Sequence, residues 1–199
     1  MKEKIKYEAI KRYRWIILGV VIIFVLTAFV ELKMGRSYLG SDGKFGWWEG
    51  DIWSSEQSQR FADPYSFTHT IHGFLFYLIL WLAARKMPIR YRFLIAVLIE
   101  AVWEIMENSP LIIDRYRAVT ISLGYVGDSV INSLSDILMM IIGFILAARW
   151  KVWMSVALVI IIELVLLLLM KDNLTLNIVM LVYPIEAIKS WQMTGHVIP

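Results

Sequence analysis

Two histidines, His69 and His72, open the apolar run "YSFTHTIHGFLFYLILWLAA" that starts at Tyr65, and only one other histidine exists in the chain. At a spacing of three they share one face of a helix. Imidazoles so placed can bind a metal or move a proton. A second set follows in "LIEAVWEIMENS", where Glu100, Glu104 and Glu107 fall at i, i+4 and i+7. With 3.6 residues per turn these acids form one stripe. A third set, Asp128, Asn132 and Asp136 in "GDSVINSLSDILMM", falls at i, i+4 and i+8, with Ser129 and Ser133 widening it. Two imidazoles and several carboxylates make a ligand set for a divalent metal, whether zinc, manganese or iron. Glu104 or Glu107 then suits a general base. Arg115 and Arg117 in "IIDRYRAVT" suit the grip of a lipid phosphate.

The elements that carry these residues are membrane-spanning helices. The chain has 199 residues, is 59% hydrophobic and has a mean hydropathy of +0.63. A soluble domain is roughly 45–50% apolar. There is no cysteine, which excludes disulfides, thiolate metal sites and cysteine nucleophiles. About 20 apolar residues cross the hydrocarbon core. Five segments meet that need, at residues 15–32, 67–84, 93–107, 129–148 and 152–170. The sequence therefore predicts an all-α integral membrane bundle forming one polytopic domain over 1–199. Residues 33–66 form a long loop. The tail "KDNLTLNIVMLVYPIEAIKSWQ" is broken by Pro184 and Glu186. It reads as an amphipathic helix at the surface over about 174–190, with a short sixth span as the alternative.

Basic residues orient the bundle. Lys2, Lys4, Lys6, Lys11, Arg12 and Arg14 precede the first span, Arg85, Lys86, Arg90 and Arg92 follow the second, and Arg149 and Lys151 follow the fourth. Positive loops stay in the cytoplasm. The N-terminus is then inside, behind an uncleaved anchor, and the loops at 33–66 and 108–128 are outside. On that orientation Glu107 and Asp128 lie near the outer surface. Glu100 lies ~10 Å and Asp136 ~12 Å below them at 1.5 Å per residue. His69 and His72 fall at the same level. Three spans thus put their polar residues in the outer half of the bilayer, although the basic loops alone set the orientation.

An ionised side chain at the bilayer centre costs at least ~2.5–3.5 kcal/mol. The spans and their outer edges hold Glu100, Glu104, Glu107, Asp128, Asp136 and Glu163, and no Lys or Arg is set against them. Protonation of the acids or a bound cation must make up the balance. Single acids can also be protonated helix-to-helix donors, and Glu163 is read as structural. Ser66 or Thr68 is expected to cap the second span, and Glu56 is the residue of the outer loop to test.

The runs "SSEQSQRFADPYSFTHTIHGFLFY", "EAVWEIMENSPLIIDRYR", "GYVGDSVINSLSD" and "LTLNIVMLVYPIEAIKSWQ" resemble an uncharacterised family of bacterial inner-membrane proteins of about this length. The resemblance covers nearly the whole chain. It implies a multi-pass inner-membrane protein and supplies no activity. The fourth span also bears a more distant similarity to VanZ-like membrane proteins. From the residues themselves, the leading expectation is a metal-dependent hydrolase or transferase at the outer leaflet, acting on a lipid, a lipid-linked sugar or a lipoprotein. A cation- or proton-handling transporter and a non-enzymatic assembly factor are the alternatives. Membrane lipids are the expected partners, and nucleic acid is not.

Overall fold

The computed structural model describes residues 2–194, and side chains from Arg14 onward. The charges on Lys2 to Arg12 that set the orientation, and the third histidine at the C-terminus, lie outside the described side chains. Among the described residues eight helices follow in order: α1 (Lys2–Lys33), α2 (Ser66–Ala83), α3 (Ile89–Glu107), α4 (Pro110–Val119), α5 (Val130–Arg149), α6 (Val152–Met170), α7 (Leu174–Val182) and α8 (Glu186–Gln192). Among the described residues there is no strand, only an isolated bridge between Trp48 and Ala62. The protein is an all-α membrane bundle.

Residues 14–33 of α1, with α2, α5 and α6, are long and apolar enough to cross a bilayer. The side chains of α6 confirm the solvent they need. Leu168 and Leu169 are 81% and 78% exposed, which suits hydrocarbon and not water. The helix α3 is as long but more charged, because it starts at Ile89, earlier than the expected 93, and so includes Arg90 and Arg92. It runs among α1, α2 and α5. Its Ala96, Val97 and Ala101 join Ile137, Met140 and Phe144 of α5 in one core. This corrects the expected absence of basic residues from the spans, since Arg92 is buried. It sits eight residues below Glu100, a rise of ~12 Å, so it leaves the acids uncompensated. A seventh acid, Glu31 of α1, is fully buried.

The pair α2 and α5 packs with backbone against backbone. A Cβ on Gly73 would stand 2.2 Å from the Met140 carbonyl oxygen, and one on Gly143 would stand 2.1 Å from that of Thr70. Glycine alone permits this approach. It brings the histidine turn of α2 against the aspartate turn of α5.

The loop 34–65, with α4, α7 and α8, caps one end. The loop satisfies the free amides at the start of α5. Val130 N–H donates to Ser37 O at 2.9 Å and Ser129 N–H to Ser58 O at 3.0 Å. Neither Ser66 nor Thr68 caps α2 as expected. Asp63 Oδ1 accepts from Tyr65 N–H at 2.7 Å and Ser66 N–H at 3.2 Å instead. The tail forms two helices where one was expected. Residues Tyr183, Pro184 and Ile185 separate them, and α7 has nine residues. A length of ~14 Å cannot span a core of ~30 Å, so α7 forms no sixth span. The carboxylate of Glu163 takes the structural role expected of it, accepting from Leu174 N–H at 3.0 Å and Thr175 N–H at 3.1 Å at the start of α7.

Candidate functional site

Helix spacing and the glycine contact together build a buried His–carboxylate cluster. On α2, His69 and His72 stand with ring centroids 5.0 Å apart. Both reach Glu100 of α3. His69 Nδ1 lies 2.6 Å from Glu100 Oε1, and His72 Nδ1 lies 3.0 Å and 3.1 Å from its two oxygens. One turn along α3, Glu104 Oε1 is 3.2 Å from His69 Nδ1. From α5, Asp136 Oδ2 is 3.8 Å from His69 Nε2. Three groups can each hold a cation: His69, His72 and Glu100; His69, Glu104 and Asp136; Glu104, Glu107 and Asp128. Among the described residues, Oε2 of fully buried Glu104 and Oδ1 of Asp136 have no hydrogen-bond partner. Buried polar atoms left so are costly, and a cation would satisfy them.

A cavity of about 920 Å³ lies against this cluster. Its lining brings His69, His72, Glu107, Asp128 and Asp136 together with Leu75, Phe76, Ile99 and Trp103, and the His72 ring stacks on Phe76 with centroids 5.8 Å apart. Glu107 thus reaches the cavity, whereas Glu104 lies behind the lining. Tyr125 O–H donates to Asp128 Oδ1 at 3.0 Å. Burial pushes the Asp128 carboxyl well above the usual carboxylate range, reinforced by Glu107 and Asp136 nearby. Burial likewise raises the phenols of Tyr116 and Tyr125, which keeps them as hydroxyl donors.

Of the candidates read from the sequence, His69, His72, Glu100, Glu104, Glu107, Asp128 and Asp136 come together. The side chain of Asn132 faces the loop, and its Nδ2 donates to Arg60 O at 2.9 Å. The two arginines do not join the site. Arg115 Nε and Nη2 both donate to Leu181 O, at 3.0 and 2.9 Å, tying α4 to α7. Arg117 Nε donates to Tyr125 O. Neither guanidinium lines the cavity, because backbone carbonyls of the cap take their donors. Glu56 pairs with Arg60 at 3.2 Å, away from the cluster. Sequence reading missed Asp63, Tyr65, Tyr116 and Trp53 as lining residues. Their signal was their place in the segments next to the stripes, a loop for Trp53, Asp63 and Tyr65 and the short helix α4 for Tyr116.

Fold and site define a polytopic helical membrane protein with a buried His–carboxylate cluster beside a mainly apolar cavity. Residues 31–194 match the family described as "Protein of unknown function (DUF2585)". A UPF0314 protein of Paracoccus denitrificans is 51% identical over 171 residues, covering 86% of this chain and 89% of that protein. One of Sphingopyxis alaskensis is 46% identical over 186 residues, covering 94% and 98%. One of Sinorhizobium fredii is 48% identical over 180 residues, covering 89% and 90%. The chain belongs to this DUF2585/UPF0314 family. These matches do not extend to VanZ-like proteins, and no solved structure matches.

Proposed function

We propose that the protein is a metal-dependent hydrolase or transferase embedded in the bacterial inner membrane, with its N-terminus cytoplasmic and its site at the outer leaflet. The substrate is a lipid or a lipid-linked molecule. One observation carries the reading: a single cavity is lined both by imidazoles and carboxylates and by hydrocarbon side chains. Leu75 and Ile99 line it and are also 39% and 41% exposed on the bundle's flank. A substrate's apolar part can rest on those side chains while its polar part meets the cluster. His69, His72 and Glu100, with Glu104 and Asp136 beside them, would hold a divalent ion, which would supply an acidified water as nucleophile. Glu107, at the cavity wall, is better placed than Glu104 to take the proton from that water or from a substrate hydroxyl.

A transport pathway would have to continue past the cluster. Below it lie Ala96, Val97, Ile137, Met140 and Phe144, each no more than 2% exposed. That apolar plug favours a dead-end pocket over a conduit.

The test is turnover. Purified protein in nanodiscs of mixed phospholipid, supplied with Mn²⁺ or Zn²⁺, is followed by mass spectrometry for released head groups, acyl chains or exchanged lipids. Products should form with the wild type and vanish in Glu107→Gln with the fold intact. Metal-loaded protein that turns over no lipid class, yet passes cations in proteoliposomes, would reverse the assignment.

A further inference from the structure

The three cation-holding groups are not separate. The first two share His69, and the last two share Glu104. His69 and Glu104 themselves approach to 3.2 Å. The set is therefore one continuous strip of ligands from His72 on α2 to Asp128 ahead of α5. No one group of mutually close ligand atoms contains both His72 and Asp128, so the strip divides into adjoining shells. We infer that the strip is a dinuclear centre for two divalent cations. One ion sits at the His69–His72–Glu100 end and the other at the Glu104–Glu107–Asp128 end, with Glu104 and Asp136 between them. The inference rests on the metal-site reading above and extends it.

Charge supports two ions over one. The three groups contain five carboxylates, Glu100, Glu104, Glu107, Asp128 and Asp136, and two imidazoles. The cavity lining contains no Lys or Arg. The nearby guanidiniums are engaged elsewhere: Arg60 with Asp42 at 3.0 Å, Arg36 with Val126 O, and Arg115 with Leu181 O. One divalent ion would leave about three uncompensated negative charges on the ionised set, and two leave about one. Several unbalanced buried charges must be neutralised, by protonation of some acids or by the second ion. The unpartnered atoms point the same way. Glu104 sits in the middle of the strip, fully buried, with Oε1 facing His69 Nδ1 at 3.2 Å and Oε2 without a hydrogen-bond partner among the described residues. A carboxylate so placed between two ligand sets can bridge two ions. Paired ions close together clamp the attacking and leaving oxygens of a displacement. They would also hold an anionic substrate in a site that has no cationic side chain.

The test uses the full chain in detergent, stripped with chelator and reloaded with Mn²⁺. Metal content should reach two ions per chain. The electron paramagnetic resonance spectrum should show exchange coupling in place of the six-line signal of isolated Mn²⁺. His72→Ala and Glu107→Gln should each drop the content to one ion and restore the six-line signal, with circular dichroism confirming the fold. Glu107→Gln keeps the side chain's shape, so it separates ligand loss from misfolding. One ion in the wild type overturns the dinuclear centre and leaves a single-metal enzyme standing. No bound ion overturns both. Two ions retained in both variants overturn the ligand assignment.

Discussion

Replacing Gly73 by alanine should damage the site although the new methyl touches none of its ligands. The added Cβ would lie 2.2 Å from Met140 O and 2.5 Å from Phe144 N, both backbone atoms of α5. Ordinary contact begins at 3.4 Å. Since backbone cannot swing aside, α2 must retreat from α5 by about 1.2 Å, the difference between those two separations. Overpacking of this kind costs ~1–3 kcal/mol. A functional constellation tolerates only ~0.5 Å of displacement. His72 is the preceding residue and His69 is one turn away, so the shift moves both rings relative to Asp136. We expect a lower unfolding temperature in detergent and at least tenfold weaker Mn²⁺ binding, measured by equilibrium dialysis. Gly124→Ala is the control, because a Cβ there meets nothing within 4 Å. Unchanged stability in Gly73→Ala would refute the backbone-contact argument. Lost stability with unchanged Mn²⁺ affinity would refute the claim that this contact positions the ligands.

Three further outcomes follow from the cap. Glu163→Ala removes the acceptor for two amides at the start of α7 and should cost ~0.5–2 kcal/mol, seen as earlier unfolding with metal content unchanged. Arg115→Ala should loosen α7, read as faster hydrogen exchange over 174–182, and leave Mn²⁺ affinity within twofold, because Leu181 O is its partner. Asp172 receives Tyr65 O–H at 2.9 Å and Gln192 Nε2 at 3.0 Å, yet burial raises its pKa from 3.8 to about 6. A raised folded-state value means that its contribution is complete below about 3.8 and is lost as pH rises through 6. The difference amounts to ~3 kcal/mol between pH 4 and 7. In Asp172→Asn that part of the pH dependence of unfolding should disappear, and an unchanged slope would contradict the assignment.

The sequence displayed the site more fully than it displayed the cap, for a reason in the helix itself. A 3.6-residue period fixes which residues share a face, so Glu100, Glu104 and Glu107 could be aligned by counting. The cost of charge in a bilayer says which way such a face must turn. Neither rule operates in loops. Asp63 has no periodic partner, and its role at the start of α2 depends on a turn that brings Tyr65 and Ser66 N–H onto one oxygen. Arg115 looked free to hold a phosphate because counting cannot reveal that Leu181 O, 66 residues away, accepts both its donors. Arg92 was misplaced for a different reason. Hydropathy starts a span at the first apolar run, whereas the helix starts after Pro88 and carries the basic turn inside. The approach of Gly73 to Gly143 was invisible as well, since small residues mark a contact only once the partner helix is known.

The distribution of apolar and polar surface also constrains what the cavity can accept. A water-soluble substrate would gain nothing from Leu75, Phe76, Ile99 and Trp103, and a wholly apolar one would leave the cluster's carboxylates unanswered. An amphiphile meets both at once. Its polar part must arrive where Glu107 and Asp128 line the cavity, while Glu100 and Glu104 stay behind the surface. That order distinguishes two kinds of acid on one stripe. The deeper pair is suited to hold ions alone, and the outer one, Glu107, to hold an ion while also facing what is bound. Conservative replacement should therefore separate them. Glu104→Gln should lose metal and turnover together. Glu107→Asp, which keeps the charge but shortens the reach by one methylene, should keep both ions and slow turnover, lowering kcat more than it raises KM. Equal loss of metal in both variants would mean that the stripe acts as one undivided ligand set.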